Sequence, residues 1–404
     1  MTLSDLPQTV AFISNEKELR HLTSDQMTQL HGSIHFVCLT PMAKYHASKT
    51  GIPHSSIEDL YDPAELMKIL SEKWDDCEIF AKYLDSELDA YFGDICKHGY
   101  FSSIRFILLL KTFRDTAISK LHILIASLQL LAPRKVICFA DNKVSYGFEE
   151  SYLIGDIIHN LLESLENQFE YKLVCYRINT VENSMLPKID IARTIERARK
   201  LTQLTFRQMS AAVHRDPHHD PEMTVVAIGE SNTLADVDEY IKGWKLSGGK
   251  VVNIAKSMRR RDFLPASIDT NPFLEGYGIT TTNINGFSQS LFAKPEFIKW
   301  FEYKGIDFFP LVNPWMRQYL KNTVPNCILS VDTFEKILIE NKVTALLTPG
   351  IASKNQIAVA LACKRLGLKI YSVQHGGGGC FSFPVLEYQD YRDIDYSFVH
   401  GEGV

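Results

Sequence analysis

The segment Thr344–Gly379, TALLTPGIASKNQIAVALACKRLGLKIYSVQHGGGG, decides the fold class. Short apolar bursts at Thr344–Leu347 and Ile370–Val373 predict two buried strands, and the pattern between them predicts a helix over Asn355–Leu366. A strand, a helix and a second strand in this order form the βαβ unit of a parallel sheet. The glycine-rich turn that follows the second strand is the feature of the chain that is most informative about its function.

The same alternation extends along the rest of the chain, which predicts an α/β fold built on parallel sheets. The remaining predicted strands are Ile34–Leu39, Val136–Ala140, Lys172–Arg177, Val225–Ile228, Val251–Ile254 and Ser397–Val399. The remaining predicted helices include Glu150–Gln168, Ile191–Arg207, Leu234–Lys245 and Phe334–Asn341.

A chain of 404 residues is too long for one ordinary core, so we expect two domains with a ligand cleft between them. The clearest break is His214–Pro221 (HRDPHHDP), which places the domains at 1–215 and 216–404. Adjacent histidines flanked by prolines are not spaced for a shared tetrahedral metal centre, so we interpret this stretch as a solvated linker.

Composition excludes several classes of function. The net charge is −5 and the basic residues are dispersed, so no electrostatic footprint for nucleic acid is present. Eight separated cysteines without a C-x-x-C pair indicate a reducing compartment and no structural zinc. The N-terminus lacks the features of a signal peptide, so we expect a cytoplasmic protein.

The most hydrophobic stretch, Phe106–Leu131, is interrupted by charged residues, and we predict two buried helices there instead of a membrane span. Peripheral contact with a membrane stays open. Because the sequence stops after Asp395–Gly403, a strand and its turn, we expect either a fragment of a longer polypeptide or an unusually short second domain.

The strand ends carry the candidate chemistry, because ligands of open α/β sheets bind beyond the carboxyl ends of the strands. After the strand Ile370–Val373, Gln374 and His375 precede four glycines, whose backbone N–H groups can crowd around an anion. His375 would reach a phosphate oxygen or protonate a leaving group. The alternative is a mobile glycine loop, and the spacing fits neither G-x-G-x-x-G nor a P-loop.

A second candidate follows the strand Thr344–Leu347 and opens a helix whose N-terminus suits a phosphate. Ser353 and Asn355 are capping residue types, and Lys354 adds a cation. These residues would serve equally well as a plain helix cap. Their position one βα unit before His375 favours a shared crevice.

Two further candidates follow the strands Val225–Ile228 and Val251–Ile254. Gly229–Asn232 (GESN) offers a carboxylate that can act as a base, although Asn232 could simply cap the next helix. Lys256–Arg261 (KSMRRR) suits an anionic substrate, although charge runs are often solvated faces. The loop Asp141–Gly147 is a weaker candidate in the first domain.

The Q-H-G turn is followed about twenty residues later by an aspartate and an aromatic strand, Asp395–Phe398, which leads into His400 and Gly401. With the G-E-S-N turn, these motifs resemble bacterial surface-polysaccharide glycosyltransferases of the two-Rossmann (GT-B) type. Within this type the chain is most similar to the retaining β-Kdo transferase domains of O-antigen and capsule enzymes. The resemblance covers essentially the whole chain, although only the two turns are recognisable motifs.

The resemblance implies transfer of Kdo, an eight-carbon acidic sugar, from CMP-β-Kdo to an oligosaccharide or lipid-linked polysaccharide acceptor. It assigns the acceptor to the first domain and CMP-Kdo to the second, with no metal required. Arg259 and Arg260 would bind the Kdo carboxylate, Ser231 would bind the donor, and Glu230 would take part in catalysis. The CMP phosphate would be held by Ser353, Lys354, Asn355, Gln374, His375, Gly376 and Gly377.

The sequence departs from the family at Asn232, where the G-E-S-x motif has a nucleophilic aspartate. An amide has no anionic oxygen to attack an anomeric carbon, so we expect binding of donor and acceptor with poor turnover. Such an isosteric change is typical of a variant made to trap a complex.

Two alternatives stay open. The first is a different CMP- or CDP-dependent surface-polysaccharide transferase, such as a CDP-glycerol phosphotransferase or a sialyltransferase-like protein. The second is a non-catalytic nucleotide- or glycan-binding module.

Overall fold

Two five-stranded parallel sheets and a set of packed helices make up the described part of the chain. The structure is a computed structural model, and it describes residues 8–72, 74–140, 157–177, 224–227, 250–253, 271–348, 350–351, 353–373 and 393–398. The strands are β1 (Thr9–Ile13), β2 (Ile34–Cys38), β3 (His54–Ser56), β4 (Lys135–Ala140), β5 (Lys172–Arg177), β6 (Thr224–Ala227), β7 (Lys250–Asn253), β8 (Glu302–Tyr303), β9 (Ile306–Asp307), β10 (Ala345–Thr348), β11 (Lys369–Val373) and β12 (Tyr396–Phe398).

The helices pack against the strands and against one another. They are α1 (Glu16–Leu22), α2 (Asp25–His31), α3 (Pro41–Lys49), α4 (Pro63–Glu72), α5 (Trp74–Phe92), α6 (Ile107–Leu131), α7 (Ile157–Phe169), α8 (Pro272–Gly276), α9 (Thr281–Phe292), α10 (Pro295–Ile298), α11 (Phe309–Gln318), α12 (Val324–Glu340) and α13 (Lys354–Arg365). A π-helical turn, Tyr319–Thr323, joins α11 to α12.

The first sheet has the strand order β3-β2-β1-β4-β5, and all of its pairings are parallel. Its central strand β1 (TVAFI) is buried at every position. The second sheet has the order β12-β11-β10-β6-β7 and is also entirely parallel. A separate two-stranded antiparallel hairpin, β8-β9, lies between the helices.

All eight predicted strands are confirmed to within one residue. The predicted α/β class is therefore correct, while β1, β3 and the β8-β9 hairpin were not predicted. Among the helices, Asn355–Leu366 is confirmed as α13, and Glu150–Gln168 corresponds to α7 over its described part. The predicted helices Ile191–Arg207 and Leu234–Lys245 lie outside the described residues. Phe334–Asn341 is only the end of α12, which begins ten residues earlier.

The prediction of two helices over Phe106–Leu131 is wrong, because this stretch forms the single helix α6. Most of the polar residues that interrupt it have partners. Lys111 donates to the Asp115 carboxylate one turn along the helix. His122 shares a 2.8 Å hydrogen bond with the Tyr303 hydroxyl, so its ring can be buried inside the protein. Within the described ranges, no helix is both long and apolar enough to cross a membrane.

One connected hydrophobic core joins α5 and α6 to the helices of residues 271–340. Phe80 on α5 packs against Phe297 and Phe301, with ring centroids 5.8 Å and 5.5 Å apart. Phe101 likewise packs against Tyr319 of the π-helical turn. These contacts connect residues on either side of the predicted domain boundary, and the boundary itself lies outside the described residues.

Two carboxylates on α5 shape the loop that follows it. Asp89 accepts hydrogen bonds from the backbone N–H groups of Cys96 and Lys97, at 2.6 and 3.2 Å. Asp85 accepts one from the Ser103 N–H at 2.6 Å. Because burial penalises its charged form, the pKa of Asp85 is raised to about 6 despite this donor.

The raised pKa of Asp85 predicts how stability depends on pH. Between about pH 4 and pH 6 the folded state holds the proton that the unfolded state has lost, so the free energy of unfolding falls as pH rises through this window. We expect Asp85→Asn to make this pH-dependent fall in the free energy of unfolding smaller by roughly 2–3 kcal/mol. The amide keeps an oxygen that can accept from the Ser103 N–H. Urea unfolding of both proteins at pH 4, 5, 6 and 7 would measure it. A stability difference independent of pH would contradict the prediction.

Candidate functional site

The carboxyl ends of the strands in the second sheet meet at one edge. Leu347 near the end of β10 pairs with Ala227 at the end of β6. Thr348 pairs on its other side with Ser372 of β11, and Ala227 pairs with Asn253 at the end of β7. Because all of these pairs are parallel, the four candidate segments follow the strands from the same edge of the sheet.

The order of the second sheet reverses between β6 and β10. Numbered along the chain within this sheet, the strands run 2-1-3-4-5, so β6 is followed by a crossover to one side and β10 by a crossover to the other. Ligands of doubly wound sheets bind in the crevice at this switch point. The strands preceding Gly229–Asn232 and Thr348–Asn355 are the two that flank it.

The N-terminus of α13 is closed by a capping box. The Ser353 hydroxyl accepts from the Gln356 N–H at 3.3 Å, and the Gln356 side chain accepts from the Ser353 N–H at 2.8 Å. Ser353 is therefore a helix cap, one of the two roles that its residue type predicted. Lys354 and Asn355 follow it in the exposed first turn, so Asn355 is not the cap.

The turn between β10 and α13 is held by a residue that the sequence analysis missed. The side chain of Thr348 is fully buried, and its hydroxyl donates to the Gly350 carbonyl at 2.6 Å. The Gly350 N–H also donates to the Thr348 hydroxyl, at 3.3 Å. A threonine directly before Pro349-Gly350 is the signal that could have revealed this turn. Gln356 was missed as well, although S-x-x-Q is the sequence signature of a capping box.

The other predicted site residues lie outside the described residues. The structure describes the strands from which they follow, with β6 ending at Ala227, β7 at Asn253 and β11 at Val373. The residues concerned are Glu230, Ser231, Asn232, Arg259, Arg260, Gln374, His375, Gly376 and Gly377. Their roles stay predictions.

Asp395, part of the motif behind the family resemblance, has a structural position beside β11. Its carboxylate accepts from the Ile370 N–H at 2.9 Å and from the Lys369 ammonium at 3.2 Å. The ring of Tyr371 stacks on that of Tyr396, with centroids 5.0 Å apart. These contacts fix the register of β12 against β11, which places the end of β12 beside the strand that leads into the histidine turn.

The first sheet has a switch point of its own, between β1 and β4. A hydrogen bond joins the residues that follow β1 and β2: the Thr40 hydroxyl donates to the Ser14 carbonyl at 2.6 Å. Asn15 caps α1 by accepting from the Glu18 N–H at 3.1 Å. The weaker candidate loop Asp141–Gly147 follows β4 and lies outside the described residues.

The described part of the chain contains no cluster of three or more histidine, cysteine, aspartate or glutamate side chains suited to a metal ion. Comparison of the chain with models of known protein families, with curated proteins and with solved structures finds no match. A functional interpretation therefore depends on the motifs and on the arrangement of the strand ends.

Proposed function

We propose that the protein is a glycosyltransferase of GT-B architecture that transfers Kdo from CMP-β-Kdo to a bacterial surface saccharide with retention. The observation that carries this proposal is the shared edge of the second sheet. Four polar segments follow four parallel strands from that edge, and two of these strands flank the switch point. The first sheet, with its own switch point, would supply the acceptor side across a cleft.

The donor phosphate would lie at the N-terminus of α13. A twelve-residue helix places the positive end of its dipole there, and Lys354 adds a cation in the exposed first turn. His375 and its glycines, which follow the neighbouring strand β11, would close the site from the other side. CMP would then depart as a phosphate monoester stabilised by these groups.

The sugar would lie at the switch point itself. Arg259 and Arg260 are suited to the Kdo carboxylate, because a guanidinium binds a carboxylate through two parallel hydrogen bonds. Glu230 and position 232 would face the anomeric carbon. The enzyme would act in the cytoplasm at the inner face of the membrane, where a lipid-linked acceptor is accessible.

Ligand-induced stabilisation would test the nucleotide site. A nucleotide at about 100 times its Kd should add about 2.7 kcal/mol to the free energy of unfolding. We expect CMP to raise the Tm, and Lys354→Ala to weaken CMP binding roughly 3–10-fold, as expected for loss of one partly screened charge contact worth about 1 kcal/mol. Lys336→Ala removes an exposed lysine from α12 and is the matched control.

The alternatives predict different results in this experiment. Stabilisation by CDP-linked compounds, with none by CMP or CMP-Kdo, would replace the Kdo assignment by another transferase. An unchanged Tm with every nucleotide would favour a module that binds glycans without catalysis.

A further inference from the structure

The loop 93–106 between α5 and α6, which ends in a 3-10 turn (Ser103–Phe106), is contacted by two charged side chains from the second half of the chain. We name it the latch loop. Its shape is set from the first half, because Asp85 and Asp89 accept hydrogen bonds from its backbone. Residues from the second half of the chain therefore pack against a surface whose shape is set by the first half.

Arg365, the last residue of α13, makes the first of these contacts. Its guanidinium group lies 3.6 Å from the ring centroid of Tyr100, donates to the His98 carbonyl, and forms an ion pair with Glu335 of α12 at 2.5 Å. Gly99 makes this approach feasible. With φ at +75° it adopts a conformation that favours glycine, and a Cβ there would lie 3.1 Å from the Arg365 side chain.

Arg105 makes the second contact, an ion pair with Asp393 just before β12. The two side chains are only 16% and 6% exposed, so water screens this pair little. Asp393 lies two residues before Asp395, which is bonded to the backbone of β11. The latch loop is thereby connected to the edge of the second sheet.

Both contacts reach elements that carry the proposed donor site. Arg365 ends the helix that begins with the Ser353 cap, and Asp393 precedes the strand paired with β11. We propose that the latch loop holds the second sheet in a fixed position against α5 and α6. The carboxyl edges of the first and second sheets would then keep the separation that transfer requires. The positional part stands on the described contacts alone, and only its catalytic consequence rests on the proposed function.

The opposing explanation is that apolar packing of α12 on α13 holds the sheet in place, and that Arg365 and Arg105 do not contribute to its position. Hydrogen exchange measured by mass spectrometry separates the two. We expect Arg365→Gln and Arg105→Gln each to speed exchange about 10-fold in peptides covering 96–104 and 360–373, and to leave exchange in β1 and β2 unchanged. Lys336→Gln, which removes the exposed pair with Asp332, is the control. Exchange equal to that of the control in both variants would overturn the proposal.

Two further variants keep the test decisive if loss of an arginine prevents folding. Arg365→Lys keeps the charge but loses the planar fork and should give an intermediate increase in exchange. Gly99→Ala leaves every charge in place and should act through the 3.1 Å contact and through the backbone strain of an alanine at a φ of +75°. Exchange at the control level in both would also overturn the latch.

The catalytic consequence is measured separately, with the latch substitutions added to the Asn232→Asp protein. Because the donor site lies within the second sheet, we expect CMP affinity to change less than about 2-fold while transfer falls about 10-fold or more, as positioning effects allow. Affinity and transfer falling together would overturn this consequence. Absence of transfer in the Asn232→Asp parent would instead reject the proposed function and leave the exchange result to decide the latch.

Discussion

Asn232→Asp is expected to raise the rate of Kdo transfer by roughly 10³-fold or more, equivalent to about 4 kcal/mol of barrier. In the aspartate form, a carboxylate oxygen would bond to the anomeric carbon as the bond to the CMP phosphate breaks, and CMP would leave with the electron pair. An acceptor hydroxyl would then displace the carboxylate and pass its proton to a base. The mass of an acceptor oligosaccharide after incubation with CMP-Kdo measures the product directly.

Asn232→Ala is the matched control, since it lacks both the acid and the amide. We expect it to bind CMP and to show the same low transfer as the parent chain. Equal rates for the asparagine and aspartate forms would show that position 232 is not the nucleophile. An unmodified acceptor, together with CMP-dependent stabilisation, would leave the nucleotide site in place and remove Kdo as the donor.

The inner strands of the sheets were predictable because a parallel strand that is buried on both faces reads as an apolar run. Val136–Ala140 (VICFA) is a run of this kind. The central strand β1 carries the same signal in Thr9–Ile13, but no helical pattern precedes it to mark a βαβ repeat. The edge strand β3 (His54–Ser56) is polar and gives no such signal.

The helices of residues 271–340 were the largest omission. Five prolines fall within this region, and proline is usually taken as a sign that a helix ends. Pro272, Pro295 and Pro325 instead lie in the first turns of their helices, where the missing N–H costs nothing. Asn271 and Thr280 cap α8 and α9 through their side chains, and these capping types were visible in the sequence.

The candidate site was predictable as a set of strand ends, and the geometry adds the hydrogen bonds that Thr348, Ser353 and Asp395 make beside them. Sequence alone predicted Ser353 as a helix cap and as a phosphate ligand; its hydrogen bond from the Gln356 N–H confirms the cap, and the role as a ligand stays a prediction. The latch loop could not be inferred at all. Arg105 and Asp393 are 288 residues apart, and nothing in either local pattern points to the other.

Phe297→Ala is expected to lower the free energy of unfolding by roughly 3–5 kcal/mol. Phe297 is fully buried, and its ring lies within 6 Å of four other phenylalanine rings, those of Phe80, Phe292, Phe301 and Phe309. Removing it would leave a cavity that these rigid rings cannot fill. Equilibrium denaturation followed by circular dichroism and tryptophan fluorescence would measure the loss.

The matched control is Phe398→Ala on β12, where the ring is 41% exposed and we expect a loss below about 1 kcal/mol. Because Phe80 and Phe297 lie on opposite sides of the predicted boundary at 215/216, the shape of the transition is informative too. If the continuous core makes α5, α6 and the 271–340 helices one cooperative unit, Phe297→Ala shifts the signals of both halves together. Two separate transitions, only one of them shifted, would mean that the halves unfold independently despite sharing this core.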